Sequence, residues 1–168
     1  MKTVLYFFGI FQDQDIHWFT QKGRVETLAP GAALIRQGEA LTALFIVLEG
    51  RARVETASGA VIAHRGAGDM LGEMSFVDSA PPSATVLAET PLTVLAIDRD
   101  LMRRHLDQDP PFAARFYRAL AILLSDRLRA QQPGGSLERD ELDDTVLTTL
   151  SMAGLRFGDL LRGLGLPG

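Results

Sequence analysis

The sequence contains no cysteine, which excludes disulfide bonds and thiolate metal ligands and fits a reducing cytoplasm. Histidine is also scarce: the three histidines, His17, His64 and His105, lie far apart and in different predicted elements. A metal site built from clustered imidazoles and carboxylates is therefore not expected. No apolar run reaches the roughly 18–20 residues that a membrane-spanning helix needs, so we expect a cytoplasmic protein.

Basic charge is in short supply as well. The 168 residues include 17 lysines and arginines against 21 acidic residues, for a net charge of −4. A nucleic-acid binder usually presents a basic face, because neutralising phosphates supplies much of its affinity. The sequence also lacks a cysteine nucleophile, a Gly-x-Ser-x-Gly turn and a Walker loop. We therefore expect neither direct DNA binding nor enzyme activity.

The periodicity of the apolar residues changes along the chain. Residues 11–22 predict a short helix. From about 24 to 97, short runs of Val, Ile, Leu and Thr recur between glycines, which predicts a sandwich or barrel of short strands. LFIVLEG over 44–50 is typical of a buried strand, and TASGAV over 56–61 predicts a hairpin tip in which Gly59 takes a positive φ.

Helical periodicity begins after the last predicted strand. Asp98 is a candidate cap for a helix over 99–107, and Asp109 precedes a helix over 111–131 with two prolines in its first turn. Pro133-Gly134-Gly135 is expected to stop that helix. Ser136 is a candidate cap for a further helical segment, and a second short helix is predicted over 154–163.

These patterns predict a mainly β protein with α-helices. The expected fold is a double-stranded β-helix, that is, a jelly-roll-like β-roll flanked by N- and C-terminal helices. The predicted divisions are an N-terminal helical segment over 1–22, the roll over 23–98, two helices over 99–132 and an acidic linker with a helical tail over 133–168.

The glycine spacing and one continuous stretch together resemble a known family. The stretch LGEMSFVDSAPPSATV, over 71–86, is similar in length and order to a phosphate-binding cassette. Over about residues 11–131 the chain resembles the cyclic nucleotide-binding domains of catabolite activator-like proteins and protein kinase A regulatory subunits, without a helix-turn-helix. The glycines that fall as in that family are Gly31, Gly38, Gly50, Gly68 and Gly72.

The resemblance implies a ligand site in the cassette. Glu73 would accept a hydrogen bond from a ribose hydroxyl, while Ser83 and Ala84 would offer donors to phosphate oxygens. A short helix starting near Glu73 would aim backbone N–H groups at an anion. The candidate ligand is a cyclic nucleotide, cAMP or cGMP, and no other cofactor is expected. The candidate cassette residues are Gly72, Glu73, Met74, Ser75, Pro82, Ser83 and Ala84.

The cassette departs from the family at Pro82, where binding members carry an arginine. Proline provides neither a guanidinium nor a backbone N–H. Three outcomes remain open: an empty site, an anion held by another arginine such as Arg51, Arg53 or Arg65, or a less charged ligand. In this family the last helix often covers the base, and the residues that would reach a base edge are Arg127, Gln131 and Gln132.

The resemblance also suggests partners. In catabolite activator-like proteins the equivalent of the 111–131 helix pairs with its twin, so we expect a parallel homodimer. The 133–168 tail is interpreted as a clasp on the domain, a swapped arm or a docking helix for a protein partner. The predicted function is a regulatory module that senses a small ligand and signals to a partner. The alternatives are a ligand-free interaction module and, more weakly, a transcription regulator.

Overall fold

A computed structural model describes residues 8–131 and 144–168, and for 144–150 it describes the backbone alone. The chain forms two compact units. Lys22–Arg104 make up the roll unit, and Met1–Gln21 with His105–Gly168 make up the helical unit. Within the described ranges, none of the helices combines the length and the apolar character that crossing a bilayer requires.

The roll unit contains eight strands in two four-stranded antiparallel sheets, with strand orders β1-β8-β3-β6 and β2-β7-β4-β5. A short helix, α2 (Glu73–Asp78), lies between β6 and β7 in the chain. The strands are β1 (Arg24–Leu28), β2 (Ala33–Ile35), β3 (Ala43–Glu49), β4 (Ala52–Glu55), β5 (Val61–Arg65), β6 (Met70–Leu71), β7 (Thr85–Ala88) and β8 (Leu92–Asp98).

Buried apolar side chains form the core of the roll. Phe45 lies opposite Ala96 and Val47 opposite Val94 in the β3–β8 pairing, and all four side chains are buried. The second sheet contributes residues of β2, β4 and β7 to the same cluster, namely Ile35, Ala52, Val86 and Ala88. Two antiparallel sheets packed over one core, with helices beside them in sequence, confirm the predicted β-roll.

The local signals that predicted turns and caps are confirmed. Gly59 has φ +82° at the tip of the β4–β5 hairpin. Asp98 Oδ1 accepts from the N–H of Leu101 at 2.8 Å, at the start of α3 (Arg99–Gln108). Asp109 Oδ1 accepts from the N–H of Phe112 at 3.0 Å, at the start of α4 (Pro110–Ala130). These bonds satisfy N–H groups that a helix start otherwise leaves unpaired.

Aromatic rings form the core of the helical unit, which also contains α1 (Asp13–Lys22) and α5 (Asp144–Gly163). Phe11 packs edge-on against Phe19, with centroids 5.3 Å apart, and lies 6.0 Å from Phe112. The His105 ring stacks on Trp18 at 4.1 Å. Burial lowers the pKa of His105, although the carboxylates of Asp109 and Asp15 act in the opposite direction. The neutral form is thus favoured, and it packs as an aromatic ring.

One ion pair lies inside this aromatic core. Asp15 is 2% exposed, and it accepts two hydrogen bonds from Arg115, at 2.7 and 2.8 Å. The same carboxylate caps α1 by accepting from the N–H of Gln12 at 2.8 Å. These hydrogen bonds from Arg115 to Asp15 raise the pKa of Arg115, although burial acts in the opposite direction. The pair therefore links α1 to α4 within the helical unit.

The helical tail differs from the prediction. Two helical segments, the second over 154–163, were expected, but the structure has one helix, α5, that continues through Gly154. A glycine inside a helix costs only about 1 kcal/mol, which the burial of Ala153, Leu160 and Leu161 outweighs. Ser136, the predicted cap, lies outside the described residues, as do the first seven residues.

The described part of the tail packs against the N-terminal segment. The ring of Phe157 lies 5.2 Å from that of Phe8, and Arg156 Nη1 donates to the carbonyl of Gly9 at 2.9 Å. At the end of α5, Gly163 faces the methyl group of Thr20 so closely that an added Cβ would lie 2.7 Å from it. The N-terminal segment and α5 therefore share one packed interface within the helical unit.

Asp15→Asn tests the buried ion pair. The substitution keeps the shape of the side chain but leaves the Arg115 guanidinium, which is 17% exposed, without its counter-charge. We expect the free energy of unfolding to fall by about 3 kcal/mol, as for other broken buried pairs. Chemical denaturation of the purified protein measures it.

Asp13→Asn is the matched control, because Asp13 lies on the same helix and also pairs with an arginine, Arg156, but is 88% exposed. Its loss should cost no more than about 1 kcal/mol. Equal costs for the two substitutions would mean that the buried pair is not a stability determinant.

Candidate functional site

The cassette begins with a tight approach of backbone to side chain at Gly72. Gly72 is the N-cap of α2, with φ +85°, and its carbonyl accepts from the N–H of Phe76 at 3.1 Å. Having no side chain, Gly72 does not cap the helix itself. The short helix predicted near Glu73 is confirmed, and the residue before its first turn has no side-chain acceptor.

The predicted cassette residues divide by burial. Glu73 and Ser75 are buried, at 4% and 6% exposure, whereas Met74 between them is 55% exposed. Further along, Ser83 is exposed, and Pro82 and Ala84 are half-buried. The first turn of α2 therefore turns its polar side chains inward, while Ser83 leaves a hydroxyl that solvent can reach.

Pro82 is fastened through its backbone. Its carbonyl accepts from the N–H of Gly38 at 2.9 Å, in the turn between β2 and β3. Nearby, Thr85 Oγ1 accepts from the N–H of Gln37 at 3.2 Å. The cassette strand is thus held to the β2–β3 turn by groups that do not depend on the side chain at position 82, and Pro82 itself offers no donor.

Two of the three candidate arginines lie on the outer face of the roll. Ala52 is fully buried in the core, so Arg53, the next residue of β4, points the other way, because strand side chains alternate. Arg51 lies just before β4 and is exposed. Arg53 forms an ion pair with Glu55, two residues on along the same face. Arg51 donates to Glu89 at 2.8 Å. Both cations are already paired.

Glu89 also meets His64, whose Nδ1 lies 3.2 Å from the carboxylate. Desolvation acts to raise the pKa of Glu89, but the hydrogen bonds and charges of Arg51 and His64 act against it and the pKa is lowered. Glu89 is therefore ionised at neutral pH. The Glu89 carboxylate, paired with Arg51 and His64, neutralises the charge of Arg51 on the outer face. Arg51 is therefore a poor candidate to bind an anion inside the roll.

Arg65 is the candidate on the inner face. In the β4–β5 pairing Arg65 lies directly opposite Ala52, while His64 lies opposite Arg53. Residues directly opposite each other in an antiparallel pair share a face, so Arg65 lies on the same side of the sheet as the buried Ala52. Its side chain is half-buried, and Nη1 donates to the carbonyl of His64 at 3.0 Å.

The predicted base-edge residues belong to the helical unit. Arg127 lies in the last turn of α4 and Gln131 is its C-cap, with an N–H that bonds back to the carbonyls of Arg129 and Leu128. Gln132 lies outside the described residues. Contact of these three residues with a base stays a prediction.

Sequence reasoning missed the far end of the cassette. The C-cap of α2 is Ser79, which adopts a left-handed conformation with φ +61°, unusual for a residue with a Cβ. Ser79 Oγ accepts from Arg99 and from Arg103, each at 3.0 Å. The four-residue spacing of two arginines on α3 was the only available signal, and it does not reveal which segment the arginines contact.

Gly72→Ala tests whether the cassette needs a glycine at its start. An added Cβ would lie 2.5 Å from Leu41 Cδ2 and 3.3 Å from the carbonyl oxygen of Ala43. We expect a loss of about 1–2 kcal/mol for the left-handed backbone and a further 1–3 kcal/mol, roughly, for displacing Leu41, which packs on the core. Urea denaturation measures the sum.

Gly59→Ala is the control for the backbone term alone, because Gly59 has φ +82° and nothing within 4 Å of an added Cβ. Only the cost of about 1–2 kcal/mol should appear there. If the two alanines cost the same, crowding at the start of the cassette is not a constraint.

Comparison with known proteins agrees with this geometry. A family profile described as "Cyclic nucleotide-binding domain" matches residues 25–109, which include all eight strands from the second residue of β1, the cassette and α3. Among curated relatives, the cAMP-dependent protein kinase regulatory subunit of Yarrowia lipolytica is 33% identical over 94 residues, covering 51% of this chain and 25% of that protein. The chain spans a tenth to a quarter of the length of the curated relatives it matches.

Solved structures extend the comparison to the fold. A cyclic nucleotide-binding domain from Methylobacillus flagellatus has a TM-score of 0.67 and 26% identity, covering 71% of this chain and 70% of that one. The catabolite activator protein of Thermus thermophilus has a TM-score of 0.60 and covers 90% of this chain and 83% of that one; at 22% identity it supports the fold alone. The roll, the cassette and the matched profile together show that the chain belongs to the cyclic nucleotide-binding domain family.

Proposed function

We propose that the roll binds a small phosphate-bearing ligand of the cyclic nucleotide class, and that Arg65 supplies the positive charge that Pro82 cannot. The observation that carries this proposal is the β4–β5 register, which puts Arg65 on the core-facing side of its sheet, opposite Ala52. The likeness to a cAMP-dependent protein kinase regulatory subunit supports the choice of ligand class.

Charge explains why one arginine matters so much. A hydrogen bond between a charged donor and an anion contributes about 1.5–3 kcal/mol net. At about 1.4 kcal/mol per decade, losing the cassette arginine weakens a phosphate site roughly tenfold to hundredfold. An inner-face guanidinium restores part of that attraction. Arg51 and Arg53 do not serve this role, because each is paired with a carboxylate on the outer face.

The proposed role is regulatory. Glu73 accepts from a ligand hydroxyl and Ser83 donates to a phosphate oxygen, so that occupancy changes the energy of the cassette. The ligand stabilises the binding-competent arrangement by its differential affinity, and a protein partner reads the result. A cyclic nucleotide therefore acts here as a signal and not as a substrate.

A thermal-shift titration tests the ligand and the arginine together. We expect one of cAMP or cGMP, at millimolar concentration, to raise the melting temperature, since a hundredfold excess over the dissociation constant adds about 2.7 kcal/mol to apparent stability. Arg65→Gln should abolish the shift. Pro82→Arg should enlarge it, because the backbone bond from Gly38 to residue 82 does not need proline.

Arg53→Gln is the matched control, because it removes a guanidinium from the neighbouring strand on the opposite face and should keep the ligand shift. A shift that survives Arg65→Gln would contradict the role of Arg65. If neither the natural chain nor Pro82→Arg responds to any cyclic nucleotide, the ligand proposal fails, and the roll is a ligand-free interaction module.

The partner-facing surface we propose is one side of α4, used for a parallel homodimer. One face of α4 is buried and includes Phe112, Phe116 and Leu123. A second apolar stripe alternates in steps of three and four along the helix, the spacing of a two-helix seam. Tyr117 is 49% exposed and Leu128 61% exposed within it. The stripe consists of Ala114, Tyr117, Ala121, Leu124 and Leu128.

Leu128→Glu tests the homodimer by placing a like charge at the same level of both helices. We expect the protein to sediment as a dimer and the variant to sediment as a monomer at micromolar concentration, because a buried unpaired charge at a seam is costly. Arg118→Glu, also exposed on α4 but off the stripe, is the control and should leave the dimer intact. A monomeric natural chain would refute the dimer.

A further inference from the structure

We propose that the end of the cassette helix carries a second anion site, separate from the roll, in which Arg99, Arg103 and Ser79 bind a phosphate-type oxyanion. Both guanidiniums donate through Nη2 to the same atom, Ser79 Oγ, and both donor–acceptor distances are 3.0 Å. All three residues lie within the roll unit. Two cations therefore converge on one neutral oxygen.

Within the described ranges, the two arginines have no carboxylate partner. Their other bonds go to carbonyl oxygens, from Arg99 to Leu41 and from Arg103 to Phe76, each at 3.4 Å. Among the residues that the structure describes, neither guanidinium forms an ion pair with a carboxylate. The nearest carboxylate in sequence to Ser79, that of Asp78, accepts instead from the N–H of Ala80 at 2.9 Å.

The proximity of the two guanidiniums carries an electrostatic cost that a bound anion would relieve. Arg99 and Arg103 are four residues apart on α3, a spacing that brings side chains together on one helix face and makes like charges repel. The Nε of Arg99 is buried without a hydrogen-bond partner, which adds the cost of an unsatisfied donor. Arg103 is kept in place over the Phe76 ring, 5.6 Å from its centroid. The repulsive pair is thus fixed in position before any ligand arrives.

The chemistry of the site indicates the ligand. Guanidinium groups bind phosphate oxygens through two or more directed N–H bonds, and a serine hydroxyl can turn from acceptor to donor toward the same anion. Ser79 and Arg103 are exposed, so an anion reaches them from solvent. Inorganic phosphate or a phosphate monoester fits this donor set, whereas a cation or a neutral ligand does not.

The site would act on the cassette. An oxyanion shared by Ser79, at the C-terminal end of α2, and by two residues of α3 fastens these helices to each other. The partial negative charge at the carbonyl end of α2 repels the bound oxyanion. The two full positive charges of the arginines attract the oxyanion more strongly. This inference does not rest on a cyclic nucleotide binding inside the roll.

The test is a titration of the ¹⁵N-labelled full chain with sodium phosphate, followed by two-dimensional NMR, against sodium chloride at equal ionic strength. We expect a saturable shift of the Ser79 and Ala80 amide signals with phosphate only. Arg103→Gln should weaken binding by about tenfold or more, the cost of one charge-assisted bond. Arg103→Lys, which keeps the charge but not the planar fork, should give an intermediate loss.

Arg104→Gln is the matched control, since Arg104 is exposed on the same helix and carries the same charge. It should change the phosphate affinity by less than twofold. The proposal is overturned if phosphate produces no saturable shift at Ser79, or if Arg103→Gln and Arg104→Gln have equal effects. The amide signals of Ser83 and Ala84 report separately on the roll, so failure there leaves this result unaffected.

Discussion

The alternation of side chains across the strands of the roll is the constraint on which the rest depends. Because successive residues point to opposite faces, burying Ala52 fixes where its neighbours on β4 and its partner on β5 must point. Arg53 is thereby assigned to the outside and Arg65 to the inside. The same alternation places apolar side chains of both sheets in one core. A one-residue slip of β5 would exchange His64 and Arg65 and reverse the electrostatics of the interior.

Arginines in this acidic chain differ in whether a carboxylate lies beside them. On the outer face of the roll, arginines are matched by carboxylates, as Arg51 is by Glu89. In the helical unit, Arg115 is matched by the buried Asp15. Arg99 and Arg103 lack such a match within the described part of the chain. Structural pairs stabilise the scaffold, and unmatched cations are the places where an external anion gains most.

Local signals predicted much of the fold. Asp98 and Asp109 cap helices because capping depends on a few neighbouring residues, and Gly59 marks a turn for the same reason. The division of the tail was predicted wrongly, because a second helix was expected over 154–163 whereas α5 is continuous through Gly154. The face of Arg65 depends on strand register, and the contact from Arg99 to Ser79 joins residues 20 apart. Neither is encoded by local spacing.

The two prolines of the cassette have an effect beyond the missing guanidinium. Pro81 and Pro82 fix two backbone φ angles, while the bond from the N–H of Gly38 to the carbonyl of Pro82 anchors the strand that follows. Proline restricts the unfolded chain as well as the folded one, which commonly adds about 0.4–1 kcal/mol to stability where the geometry suits it. An arginine at position 82 would return that conformational freedom to the unfolded state. At position 82, an arginine would favour ligand attraction and a proline favours loop rigidity. This chain has the proline.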